Sequence, residues 1–299
     1  MIITPIEQYK INETTIYVKR EDLVNPFPAA NNAKSRGVQA HMETLQKEGK
    51  YTKIGILDSG LSRAGWIVSA LNNMVFNHYF EVYVFMPQKA ENMFYRKMIT
   101  AHNGHIELQK GAKQSIRYNR AKKYMTSLNG YLLPDKLHLP ETISEVAEQV
   151  CTVPKELLTG SVIISCGGGT ITTGLVNGLL KSNVHPKIYA VMSTSEVSTI
   201  SRFNYIKNHV KSLFGVKLNV ITSPYKYKET PDCTPPFPCD LIYDRKAWQW
   251  LTLNIDKIPQ PILFWNIGGE WNAEKGLVDE LRGDGIVTLN QINNYLGIS

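Results

Sequence analysis

A chain of 299 residues, 43% hydrophobic and 20% charged, has the makeup of an ordinary globular protein and excludes wholesale disorder. No stretch approaches the roughly eighteen apolar residues of a membrane span, and the start lacks the pattern of a secretion signal, so the cytosol is the expected location. The net charge of +7 has two readings, a lysine-rich composition or a surface for an anionic partner such as nucleic acid, and charge alone does not choose.

In chain order, strand-like apolar runs fall at 15–19, 53–57, 81–85, 161–165, 187–191 and 261–265. Helical patterns lie between them, at 34–48, 63–77, 91–102, 114–128, 141–151, 171–181 and 245–254. Near-continuous apolar runs suit strands covered on both faces, and the alternation predicts an α/β fold with parallel or mixed sheets between helices. The segment 231–239, with four prolines, reads as an irregular loop. Cys151, Cys166, Cys233 and Cys239 form no zinc-like spacing; no metal is expected, and the thiols are expected to be reduced. His102 and His105 read as surface positions.

The first segment that carries chemistry is Cys166-Gly167-Gly168-Gly169-Thr170. A buried strand, a glycine turn and a helix in that order put unpaired N–H groups and a helix N-terminus around one point, which suits a phosphate. The loop is neither a Walker A motif nor a dinucleotide fingerprint, so a single phosphate on a smaller ligand is expected. A plain strand-to-helix turn is the alternative.

The second segment is Asn31-Asn32-Ala33-Lys34-Ser35-Arg36, which follows Thr4-Pro5, a strand and Lys19-Arg20-Glu21-Asp22-Leu23. This succession resembles the entry segment of the tryptophan-synthase-β-like, fold-type II pyridoxal-phosphate enzymes. By that resemblance Lys34 forms the Schiff base with pyridoxal 5'-phosphate, and 166–170 is the phosphate cup. Asp240-Leu241-Ile242-Tyr243-Asp244-Arg245-Lys246-Ala247 and Asn266-Ile267-Gly268-Gly269 resemble segments of the 1-aminocyclopropane-1-carboxylate deaminase and D-cysteine desulfhydrase branch. The likeness makes Tyr243 an acid/base or positioning group and sets Asp244 against the pyridine nitrogen, where a carboxylate keeps the ring an electron acceptor. An ordinary helix start with Asp244 as cap is the rival reading.

The chain departs from that branch in two places. Ser62-Arg63-Ala64-Gly65 occupies the loop that holds the substrate carboxylate, and Ser62 matches the family's serine, but Arg63 stands where asparagine is expected. An arginine brings a charge and a two-pronged donor for carboxylate or phosphate, unless it turns to solvent. The 231–239 loop replaces a helix-bearing stretch that normally supplies a second tyrosine, for which Tyr225 and Tyr227 are the candidates.

The resemblance therefore implies two lobes forming three-layer sandwiches, a large one from 1–50 and 150–299 and a small one from 51–149, and a homodimer. The expected function is a pyridoxal-phosphate-dependent lyase or deaminase-like enzyme that breaks a bond at the α-carbon of an amino-acid substrate. The bond broken (C–H or C–carboxylate) stays open. So does the substrate: a free amino acid, or one attached to a nucleic-acid base, as in DNA modification. A cofactor-binding relative without catalysis and a sugar-phosphate enzyme complete the alternatives.

Overall fold

The computed structural model describes residues 2–24, 32–89, 93–193, 196–210, 212–213 and 215–269. Asn31 and the stretch 270–299 of the expected large lobe lie outside them. Described residues of Met1–Pro26, Asn31–Val38 and His138–Glu270 make one unit, and those of Gln39–Leu137 the other.

The first unit is built on a six-stranded sheet. Its strands are β1 (Ile6–Ile11), β2 (Thr14–Arg20), β7 (Ser161–Cys166), β8 (Lys187–Met192), β9 (Lys217–Ile221) and β10 (Ile262–Asn266), in the order β1-β2-β10-β7-β8-β9. Among these described strands only the edge pair β1–β2 is antiparallel. Successive side chains of a strand face opposite ways, and both faces are apolar here. Val162, Ile164, Leu263 and Trp265 pack against α5 (Pro140–Cys151) and α6 (Thr170–Lys181), while Ile163 and Phe264 pack against α8 (Asp244–Asn254). That makes a three-layer sandwich, and it explains why β7 and β10 read as unbroken apolar runs.

The expected lobe bounds put 141–149 with the small lobe, whereas α5 lies in the first unit. The reason is its closeness to α6: a Cβ added at Gly174 or Gly178 would stand 2.6 and 2.5 Å from the Cβ atoms of Val146 and Val150. α7 (Glu196–His209) also belongs to this unit.

The second unit carries a parallel sheet of order β5-β4-β3-β6, with β3 (Lys53–Leu57), β4 (Glu81–Pro87), β5 (His105–Gln109) and β6 (Tyr131–Leu132). Tyr83, Phe85 and Leu57 cluster with Ala121 and Met125 of α4 (Gln114–Ser127). On the other side Val84 meets α2 (Ala64–Met74), where a Cβ at Gly65 would come within 2.4 Å of it. α3 (Met93–Ala101) and most of α1 (Ser35–Glu48) complete the unit.

His102 corrects the surface expectation. It is fully buried and its Nδ1 pairs with the Asn73 amide at 2.9 Å, whereas His105 is exposed. All four cysteines are free thiols. No helix among the described residues is long and apolar enough to cross a membrane.

Candidate active site

The motif before Lys34 acts as a buried scaffold. Glu21, fully buried, accepts a hydrogen bond from the Thr4 hydroxyl at 2.5 Å and pairs with Arg36, two residues past the lysine. Lys19 donates to the Thr4 carbonyl at 2.6 Å. Arg20 forks onto Asp22 at 2.8 and 2.6 Å and also pairs with Glu7. Asp22 then receives Asn266 at 2.9 Å, at the end of β10. Removing one partner of such a buried pair leaves an uncompensated charge, so the set specifies one arrangement of the entry segment.

That arrangement fixes Lys34. The Ala33 N–H donates to the Ile267 carbonyl at 2.8 Å, and Asn32 bridges Gly268. Asn32 Oδ1 caps the Lys34 N–H at 3.0 Å. Lys34 is therefore tied by backbone to the end of β10, immediately before α1. Its side chain is half-buried and its charge is felt at the Cys166 thiol. Burial pushes that thiol up, while a bond from Thr172 and the charges of Arg202 and Lys34 pull the other way.

The turn after β7 has the conformation glycine permits. Gly169 caps α6 at φ +96°, a region that residues with a Cβ rarely adopt. Its carbonyl neighbours are held from outside: Arg202 of α7 donates to the Gly167 carbonyl at 2.6 Å, and His138 Nε2 pairs with the Gly168 carbonyl at 3.1 Å. His138 stacks on Tyr205, which stacks on His209. Thr170, buried, stands at the first helical position, where backbone N–H groups lack intrahelical partners. Sequence reasoning missed Arg202 and His138.

Asp244 is the other pole. It is fully buried at the start of α8; its Oδ1 accepts from Ser165 at 2.6 Å and its Oδ2 from the N–H groups of Ile267 and Gly268 at 3.0 and 3.2 Å. Burial and then the charge of Asp240 raise its pKa well above the usual carboxylate range, against the pull of those three donors. Among the described residues, no cation is among the groups acting on it. One carboxylate thus clamps the residue before the glycine turn to the strand end that carries Lys34.

Tyr243 lies beside the turn: a Cβ at Gly167 would stand 2.6 Å from its ring. Its hydroxyl shares a hydrogen bond of 2.7 Å with that of Tyr227, one of the two tyrosine candidates. Lys246 organises the pair by donating to the carbonyls of Ser193, Lys226 and Tyr227 at 3.2, 2.8 and 3.1 Å. Burial lowers its pKa to about 8.

The Ser62–Gly65 loop belongs to the second unit. Asp58, buried at the end of β3, accepts the N–H groups of Gly60 and Gly65, both at 2.7 Å, and Ser59 Oγ those of Leu61 and Ser62 at 3.2 and 3.1 Å. Burial raises the Asp58 carboxyl against these bonds. Arg63 is only 5% exposed, so it does not turn to solvent, and Gly65 already gives its N–H to Asp58. Ser62 is half-buried, and the Ala64 N–H approaches its hydroxyl at 3.5 Å.

These residues fit pyridoxal phosphate. A glycine turn at a helix start suits its phosphate, and a buried carboxylate suits a protonated ring nitrogen. Fold and site together define a fold-type II pyridoxal-phosphate enzyme. The model superposes on an ACC deaminase homologue with a TM-score of 0.74 at 16% identity, covering 95% of this chain and 93% of that one. It superposes on an O-acetylserine-dependent cystathionine β-synthase from Helicobacter pylori with a TM-score of 0.66 at 15% identity, covering 95% and 96%. At such identities these likenesses show the fold. No protein-family model matches the chain. The glycyl-dTMP PLP-dependent decarboxylase of Pseudomonas phage M6 is 33% identical over 283 residues, 89% of this chain and 98% of that protein.

The chain belongs to the pyridoxal-phosphate-dependent family of that decarboxylase. Its cofactor is pyridoxal phosphate, with chemistry at the α-carbon. The sugar-phosphate alternative falls.

Proposed function

We propose that this enzyme decarboxylates an amino acid attached to a nucleotide base, with a glycyl-thymidylate as the substrate type. The observation that carries the reading is the likeness to the phage M6 enzyme, which runs through nearly all of that protein at 33% identity. The sequence is consistent with a site altered for another substrate: the proline-rich segment 231–239 stands in place of the deaminase branch's helix-bearing stretch, and Tyr227 is hydrogen-bonded to Tyr243.

In the reaction the C–C bond to the carboxylate breaks, carbon dioxide leaves, and a proton replaces it on the α-carbon. When bound, pyridoxal phosphate supplies the electron sink for the breaking bond. Lys34 would hold the cofactor covalently and serve afterwards as a general base or acid. Cys166, Gly167, Gly168, Gly169 and Thr170 would hold its phosphate, and Asp244 its ring nitrogen. Ser62, Arg63, Ala64 and Gly65 would face the substrate, with the Arg63 charge suiting its acidic part. Tyr243, hydrogen-bonded to Tyr227, would carry or position the proton delivered to carbon. The reading places the enzyme in the cytosol as a homodimer built of a large and a small lobe, which sedimentation and localisation test.

The experiment is incubation of the holoenzyme with glycyl-dTMP, followed by mass spectrometry of the nucleotide. Loss of carbon dioxide with the amine retained is the expected result. A second reading, elimination or deamination of a free amino acid, is favoured by the likeness to the ACC deaminase homologue. It predicts ammonia release from a panel of D- and L-amino acids and an unchanged nucleotide. Turnover that survives in Lys34→Ala contradicts both.

A further inference from the structure

The charge is not spread evenly along the chain. Residues 39–137 hold 14 Lys and Arg against 7 Asp and Glu, the full excess of +7, and the remainder balances. Within that unit, 110–123 contain six basic residues and no acidic one.

The fold gathers part of this excess on one edge. β3, β4 and β5 are parallel, so their C-terminal ends share an edge of the sheet. The Asp58–Gly65 loop leaves β3 there, Gln88 and Lys89 leave β4, and Lys110 to Lys113 leave β5. Lys89, Lys110, Lys113 and Arg120 are exposed. Backbone bonds fix the edge: the Gln88 N–H donates to the Gln109 carbonyl at 2.8 Å, and Arg96 donates to the Gln88 carbonyl at 3.2 Å. Arg120 reaches the Lys110 carbonyl at 3.5 Å, and buried Arg117 of the same helix donates to the Asp58 carbonyl at 3.3 Å. The basic helix is thus bonded to the first residue of the loop assigned to the substrate. Of the acidic residues nearby, Asp135 accepts from Gln114 at 2.7 Å and Glu107 from Tyr124 at 3.2 Å.

Gathered like charges destabilise the compact state unless a partner neutralises them. These residues leave two neighbouring strands about 4.8 Å apart and the helix that follows them, a basic stretch wider than the spacing of about 3.4 Å per phosphate along a DNA strand. We propose that the edge carrying Lys89, Lys110, Lys113 and Arg120 binds the phosphate backbone of DNA next to the modified nucleotide. The partner rests on the proposed nucleotide-linked substrate; the location rests on charge and topology.

The test measures binding of a fluorescent, unmodified DNA duplex to the holoprotein between about 50 and 200 mM salt. Wild type is compared with a Lys89→Gln, Lys110→Gln, Lys113→Gln variant. A control changes the exposed lysines Lys10, Lys155 and Lys217 to Gln, with the same loss of charge outside this unit. The edge variant is expected to lose about 2.7 from the slope of log affinity against log salt and at least about tenfold in affinity, at 0.9 per phosphate contact. The control is expected to stay near wild type. No duplex binding by wild type, an unchanged edge variant, or an equal loss in the control overturns the inference. Because binding needs no turnover, the expected loss in the edge variant alongside inert glycyl-dTMP contradicts the proposed reaction and supports the surface.

Discussion

The hydroxyls of Tyr227 and Tyr243 meet at 2.7 Å beside the glycine turn, and one lysine, Lys246, holds the backbone of the first while sitting on the helix that starts after the second. Tyr227 comes from an irregular segment, so its position depends on that tether. Lys246→Met removes three hydrogen bonds and leaves carbonyls of Ser193, Lys226 and Tyr227 without this donor. The buried Ser193 carbonyl left unsatisfied costs about 1–3 kcal/mol, and the part-buried carbonyls of Lys226 and Tyr227 cost less. Steady-state kinetics should show kcat reduced about tenfold or more with KM changed less, and Lys246→Arg should recover part of it. Wild-type kcat in the methionine variant would refute the tether.

Glu21 carries the entry segment. Glu21→Gln keeps the shape but leaves Arg36, 9% exposed, as a buried charge without its carboxylate. Breaking such a pair costs about 3–5 kcal/mol. Chemical denaturation should show a loss of that size. Cofactor retention should weaken in parallel, because Arg36 lies two residues from Lys34.

Gly169→Ala tests the phosphate cup. Its φ of +96° is unfavourable for alanine, and the added Cβ would come within 2.9 Å of the Tyr205 ring. Strain of about 1–3 kcal/mol at the turn should weaken cofactor affinity about tenfold or more. Titration of the apoprotein with pyridoxal phosphate reads this directly.

His102 makes stability depend on acid. Burial, aided by the charge of His78, lowers its pKa to about 4 from 6.5. The unfolded chain therefore binds the proton more readily, and the stability from keeping this ring neutral is complete above pH 6.5 and fades as pH falls toward 4. Roughly 3 kcal/mol is at stake at 1.36 kcal/mol per pH unit. Denaturation at pH 7 and pH 4.5 should show a drop in wild type that is smaller in His102→Gln.

Much of this was legible in the residues. The central strands announce themselves because both faces are covered; β3 falls at the expected 53–57. The strands that escaped, β1, β5 and β9, are sheet edges without a single buried residue, and β6 has two residues. α7 carries serine, threonine and asparagine in place of an apolar stripe. In the site, Lys34, the glycine turn, Tyr243 and Asp244 stand in patterned segments. Arg202 and His138 act on backbone carbonyls far away in sequence, a role no local spacing encodes. The fates of His102 and Arg63, both buried, were set by packing around α2 and α3 and by the loop anchored at Asp58.

The ring contacts assigned to Asp244 have their own test. Asp244→Asn keeps the size but removes the charge that would hold the ring nitrogen protonated. A fall in kcat of about a hundredfold, about 2.7 kcal/mol in the barrier, is expected with the cofactor still bound. Full activity in that variant would exclude the assignment.

The account turns on which amine carries the cofactor. Holoprotein treated with borohydride, digested and mapped by tandem mass spectrometry should give a pyridoxyl group on the peptide containing Lys34. A modified lysine elsewhere, or no modified peptide from cofactor-saturated protein, would contradict it.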